Sequence, residues 1–178
     1  MKILAIAADI DPQRIGGAEA HFVEVLKRIA PKLEKVTVLV GNNTSLKNLF
    51  IKDENVEIIK VLYPKIQNLN WLTYSIFCIP YALKYKFDLI WVKQEYLVNA
   101  GAVIKFITGK PLYVTCQNPN VAGEEWNLSR TITPIFTRFL MFGLRFADTV
   151  AAVSHYSANL AKKYRAKRVV IIPNGVTC

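Results

Sequence analysis

Four short stretches of the chain carry residue types that bind ligands or move protons: Asp9-Ile10-Asp11, Gly16-Gly17, Lys93-Gln94-Glu95 and Gln117-Asn118. The glycine pair offers unencumbered backbone N–H groups, and at a helix start such groups face an anion. A flexible turn that opens a helix is the other open reading of Gly16 and Gly17. The loop from Asp9 to Gly17 is too long and too poor in glycine for a dinucleotide fingerprint, and no Gly-Lys-Ser/Thr follows it. A nicotinamide enzyme is therefore disfavoured. Asp9 and Asp11 have the spacing of an Asp-x-Asp metal pair, but a divalent cation needs more ligands than two acids supply, so no metal site is expected. Gln117 and Asn118 both donate and accept hydrogen bonds, which suits sugar hydroxyls, although Asn-Pro also starts ordinary turns. Glu95 reads either as an acceptor for a polyol or as a solvated loop acid. His21 and His155 are isolated and read as surface or capping residues.

These groups need a scaffold, and the hydrophobic pattern supplies one. Apolar runs at Lys2–Ala8, Val36–Val40, Val56–Leu62, Leu89–Val92, Leu112–Cys116, Thr149–Val153 and Val169–Ile172 read as strands. Most are unbroken rather than alternating, the mark of a parallel sheet buried on both faces. Helical periodicity fills the gaps at Ala18–Ala30, Leu72–Tyr85, Ala100–Thr108, about Pro134 to Phe146, and His155–Tyr164. Gly109 closes the third of these and Ser154 caps the last. Glu24 and Arg28 pair at i,i+4 on the first. The expected fold is α/β, a doubly wound, mainly parallel sheet of about seven strands with helices on both faces. In such a sheet ligands bind beyond the carboxyl ends of the strands, where all but one of the four stretches begin and the glycine pair opens the following helix.

Composition narrows the function classes. The chain has 178 residues, 52% of them hydrophobic and 20% charged, enough for one globular domain with a sizeable core. A formal net charge of +10 implies anionic surroundings. No nucleic-acid motif is present and the charge is spread, so a nucleic-acid partner is not expected. Cys78, Cys116 and Cys178 are far apart; the first two lie in apolar runs and read as core residues, which favours a reducing, cytoplasmic setting. The N-terminal apolar run is too short for a signal peptide, and the stretch around Trp71–Leu83 is too short for a membrane span. Two segments, WLTYSIFCIPYALKYK and PIFTRFLMFGLRF, mix apolar side chains with Lys84, Lys86, Arg138 and Arg145. Such basic amphipathic segments lie on anionic membranes or form buried faces with snorkelling basic ends.

The stretches RIGGAEAHFVEVLKRIAPKLEKVTVLV, FDLIWVKQEYL, KPLYVTCQNP, ADTVAAVSHYSANLAKKY and VVIIPNGV, in this order, resemble the N-terminal half of GT-B glycosyltransferases of the family 4 type. The resemblance covers nearly the whole chain. It implies that residues 1–178 form the N-terminal, Rossmann-like, acceptor-side domain. A C-terminal domain holding the nucleotide-sugar is not included in this chain. It further implies that Gly16 and Gly17 approach the donor diphosphate, with Arg14 and Glu19 flanking them, and that Glu95 and Asn118 serve sugar or acceptor. Transfer in such enzymes normally retains configuration and uses no bound metal; the donor is a nucleotide-sugar and no cofactor is implied. The leaving phosphate is stabilised by backbone N–H groups and basic side chains. Where the family commonly has Thr-x-His after the fifth strand, this chain has Thr115-Cys116-Gln117. Gln117 can bind a hydroxyl but cannot carry a proton. The expected enzyme acts on a glycan or lipid-linked acceptor, peripheral at the inner membrane face, and this half alone is expected to be inactive. The competing expectation is a non-catalytic sugar- or phosphate-binding module that kept the fold.

Overall fold

The apolar runs pair into one sheet because the backbone N–H and C=O groups of strands buried under helices on both faces need partners, which neighbouring strands supply. The structure, a computed structural model, describes residues 1–8, 17–41, 54–64, 66, 69–117 and 133–174. Its seven strands are β1 (Lys2–Ala7), β2 (Lys35–Gly41), β3 (Val56–Val61), β4 (Leu89–Val92), β5 (Leu112–Cys116), β6 (Thr149–Ala152) and β7 (Val169–Ile171). They run parallel in the order β3-β2-β1-β4-β5-β6-β7. The order reverses between β1 and β4, which makes their carboxyl ends the switch point of the sheet.

Five α-helices are described: α1 (Gly17–Ile29), α2 (Asn70–Ala82), α3 (Val98–Thr108), α4 (Thr133–Met141) and α5 (His155–Lys163). Alternation along β1 divides the core. Ile3, Ala5 and Ala7 pack with Phe22 and Leu26 of α1, whereas Leu4 and Ile6 join a larger cluster with Tyr74, Cys78 and Ile104 of α2 and α3. Helices on both faces follow from right-handed crossovers that leave β1 in opposite directions. Tyr74 is fully buried, and its hydroxyl donates to the Leu39 carbonyl at 2.7 Å, which removes the cost of burying it.

Helix ends follow their chemistry. Gly109 takes a left-handed backbone (φ 70°) after α3, and its N–H donates to the Lys105 carbonyl. The Ser154 hydroxyl accepts the Ser157 N–H at 3.1 Å and starts α5. The helix read from about Pro134 to Phe146 is divided: α4 stops at Met141, and Phe142–Phe146 continues as a 3-10 turn. Gly143 explains the change. A Cβ there would lie 2.9 Å from the Asn99 N and Val98 C atoms, backbone that cannot swing aside. Asn99 fastens the same contact, accepting the Gly143 N–H and donating to the Phe139 carbonyl, both at 2.8 Å. Gly143→Ala is expected to lower stability by about 1–3 kcal/mol, read as a shift in the urea midpoint without a change in slope.

Candidate active site

Three chain segments meet at the switch point. Beyond β4 the ladder continues one residue, with the Lys93 N–H donating to the Ile6 carbonyl at 3.0 Å. The two-residue period of a strand therefore puts Lys93 on the same face as Trp91, beneath α1. Trp91 meets Phe22 with ring centroids 4.7 Å apart, and Lys93 Nζ lies 5.8 Å from the same Phe22 ring. The Lys93 side chain is 0% exposed, and its Nζ donates to Oε1 of Glu19, in the first turn of α1, at 3.1 Å. Burial of an ammonium is tolerated here because a carboxylate and an aromatic face accompany it.

The second half of the site is a polar chain. Glu95 opens a 3-10 turn, Glu95–Leu97, and is 1% exposed. Its Oε2 accepts the Gln117 N–H at 3.1 Å, which ties the end of β5 to the end of β4. The Gln117 side chain then places Nε2 3.1 Å from His21 Nδ1 on α1. An amide NH2 only donates, so Nδ1 accepts and the ring proton sits on Nε2. The Glu19–Lys93 pair and the Glu95–Gln117–His21 chain thus each tie α1 or its neighbour strands together, and side by side they join α1, the end of β4 and the end of β5.

This arrangement removes one of the two open readings of Glu95 and corrects the reading of His21. Glu95 is not a solvated loop acid; it is buried and holds backbone. His21 is not an isolated surface or capping group; it is half-buried against Gln117. His155, by contrast, is exposed at the first position of α5. Lys93 was given no role from sequence beyond its place beside Glu95, although strand alternation from Trp91 points its side chain under α1. Gly17 lies at the first position of α1 and is exposed, with nothing within 4 Å of where its Cβ would be. Gly16, Arg14, Asn118, Asp9 and Asp11 lie outside the described residues. Among the described residues no group of three or more His, Cys, Asp or Glu is placed to hold a metal ion.

Burial sets the electrostatics. Desolvation lowers the His21 pKa below its ordinary 6.5, so the neutral ring is the form the fold favours. A folded-state pKa below the unfolded one means stability is fully present above 6.5 and declines as pH falls through the folded value. An NMR titration is expected to place His21 below 6.5 and to move it when Gln117 becomes Ala. Burial pushes the Cys116 thiol far up, helped by the nearby Glu95 carboxylate, and pushes Cys78 up to about 12. Both are buried core thiols, as their apolar surroundings suggested, and neither is a nucleophile.

Beside these groups, a cavity of about 290 Å³ runs along the sheet next to α1, lined by His21, Val25, Trp91, Tyr113, Thr115 and Ala151 among others. Trp91 Nε1 donates to Thr115 Oγ1 at 3.0 Å within its wall. The site therefore combines a glycine at an exposed helix N-terminus, hydrogen-bonding side chains, one low-pKa imidazole and an apolar trough.

Residues 15–178 match the family model described as Glycosyltransferase Family 4. The chain belongs to that family. No curated protein matches this family 4 chain. Among solved structures, it is similar to Anabaena HepE in complex with UDP and glucose, with a TM-score of 0.66 and 24% identity over 99% of this chain and 45% of that one. It is similar to Acinetobacter baumannii MurG, with a TM-score of 0.59 and 16% identity over 99% and 46%. Sucrose-phosphate synthase from Thermosynechococcus elongatus gives a TM-score of 0.62 at 16% identity over 99% and 90%. At these identities the likeness is one of fold. The family 4 chain spans less than half the length of the HepE and MurG chains, and its fold is the Rossmann-like unit they share with it.

Proposed function

We propose that this family 4 domain is the acceptor-side half of a glycosyltransferase. The enzyme moves a sugar from a nucleotide-sugar to a glycan or lipid-linked acceptor, with retention and without a bound metal. The observation that carries the reading is the position of Gly17, at the exposed N-terminus of α1 and at the switch point of a family 4 fold. There the helix dipole and free N–H groups suit a diphosphate. That the similar HepE structure holds UDP and glucose supports a nucleotide-sugar as donor. A second α/β domain, not included in these 178 residues, would hold most of the nucleotide.

In this reading each residue has a task. Gly16 and Gly17 let the backbone approach the diphosphate, with Arg14 beside them. Glu19 fixes α1 to Lys93 and so sets the height of that helix end above the sheet. Glu95 positions Gln117, whose amide binds a sugar hydroxyl, with Asn118 next to it. Leaving-phosphate charge is stabilised by dipoles already in place, which need no reorganisation during transfer. The transfer breaks the bond between the anomeric carbon and the phosphate oxygen and joins that carbon to the acceptor oxygen, whose proton is released.

The competing reading, a binding module without chemistry, draws on Gln117, which carries no proton. The two differ in one experiment. The protein with its second domain is incubated with UDP-glucose and lipid-linked saccharide acceptors, and free nucleoside diphosphate is measured. Acceptor-dependent release supports the transferase. Saturable nucleotide-sugar binding with no release across a panel of donors would leave the module.

A further inference from the structure

Gln117 is held at two points. Its backbone N–H donates to the buried Glu95 carboxylate, and its side-chain Nε2 lies 3.1 Å from His21 Nδ1. Strand alternation puts Gln117 on the same face as Thr115, so its side chain leaves the carboxyl edge of the sheet on the α1 side. A side-chain amide has two ends, an oxygen that accepts and an NH2 that donates, and an untethered glutamine turns either one to a ligand. Gln117 is tethered. Among the described residues its Nε2 is bonded to His21, and its Oε1 has no partner.

The imidazole decides which end is left over. Desolvation favours the neutral ring, in which one nitrogen carries a proton and the other accepts. The Nε2–H form is the commoner tautomer of a neutral imidazole, and it leaves Nδ1 free to accept from the amide. Turning the amide over would set Oε1 against the Nδ1 lone pair, two acceptors with no proton between them. Position along α1 says which sugar is in reach. His21 follows Gly17 by four residues, a rise of about 6 Å. A sugar carried on a diphosphate at the α1 N-terminus therefore lies beside the end of β5.

We propose that His21 is a positioning residue that fixes the polarity of Gln117. Its Nδ1 takes one amide N–H, so the carbonyl Oε1 is the end presented to the transferred sugar. The site then selects a sugar hydroxyl that donates a hydrogen bond, and it rejects the same position carrying fluorine. This inference rests on the transferase reading and deepens it, since that reading does not say which end of the amide meets the sugar. His21 itself touches no reacting atom. A sugar that lacks the proton leaves the carbonyl oxygen desolvated and unpaired, and that penalty turns one hydrogen bond into specificity.

The test has two arms. In the 178-residue chain, nitrogen-resolved NMR is expected to show the neutral His21 ring protonated on Nε2, a readout that needs no second domain. In the two-domain protein, kcat/KM is measured for the nucleotide-sugar it uses, with UDP-glucose tried first, and for that donor's monodeoxyfluoro analogues. The wild type is expected to prefer hydroxyl over fluorine at one ring position by about tenfold. His21→Phe keeps a ring but offers no acceptor, and is expected to reduce that preference to about twofold. His21→Asn, whose Oδ1 accepts near the place of Nδ1, should restore most of it. The inductive effect of fluorine is common to all three proteins, so the change in preference isolates the hydrogen bond. A role limited to packing would instead slow every donor alike, and a thermal melt of each variant checks the fold. Three results would overturn the inference and leave the transferase reading standing: a ring protonated on Nδ1, a wild type without hydroxyl preference, or a preference that survives in His21→Phe. A loss in His21→Asn as complete as in His21→Phe would do the same. No turnover of any donor by the wild type would contradict the transferase reading and take this inference with it.

Discussion

Gly17→Val in the protein carrying both domains is expected to cut sugar transfer by about 100-fold, with the fold intact. The structural half of this expectation is unusual for a glycine. Gly17 has no positive φ, and a Cβ at its position meets nothing within 4 Å. Among the described residues nothing therefore asks for glycine, and valine in the first helical turn should change stability by no more than about 0.5 kcal/mol. A branched side chain would nevertheless stand in the open space above the N-terminus of α1. That is where backbone N–H groups would meet a diphosphate, and a donor displaced by an ångström loses much of its value. The measurement is kcat/KM for donor turnover, paired with a thermal melt. A normal melt with normal turnover would make the glycine pair a turn and no more.

Glu19→Ala is expected to have the largest effect on stability, about 3 kcal/mol. The asymmetry of the pair sets this. Glu19 is 20% exposed and can turn to water if Lys93 is replaced, whereas Lys93 is 0% exposed and cannot follow. Truncating the acid removes a counter-charge from an ammonium that stays buried. Lys93→Met should therefore cost much less, and the double variant Glu19→Ala/Lys93→Met should recover most of the loss. Urea unfolding of the four proteins closes the cycle. Equal losses for both single variants, with no recovery in the double, would show that the ion pair does not carry the energy assigned to it.

Much of the scaffold was legible because parallel sheets leave a plain trace. Unbroken apolar runs located all seven strands, and Leu89–Val92 and Leu112–Cys116 coincide with β4 and β5. Capping chemistry located the end of α3 at Gly109 and the start of α5 at Ser154. Helix ends without a strong cap were less legible: α2 covers Asn70–Ala82 rather than Leu72–Tyr85. The division of the α4 segment was hidden because it depends on the backbone of Val98 and Asn99, far away in sequence. The same limit hid the roles of His21 and Lys93. Their partners, Gln117 and Glu19, are 96 and 74 residues distant, and no local pattern reports such pairs. Amphipathic period showed that the segments around Trp71 and Phe139 have an apolar stripe. It did not show which apolar residues of each turn to the core, Tyr74 and Cys78 in the first and Leu140, Met141 and Leu144 in the second, and which stay exposed, Phe77 in the first and Phe139 and Phe142 in the second.

Transfer by the isolated 178-residue domain, compared with the same domain joined to its nucleotide-sugar-binding half, tests the account most directly. Both are incubated with a nucleotide-sugar and a lipid-linked acceptor, and nucleoside diphosphate release is followed. The account predicts acceptor-dependent turnover by the two-domain protein and none by residues 1–178, because in the proposed reading the groups that hold the nucleotide would lie in the second domain. Turnover by residues 1–178 alone would contradict it.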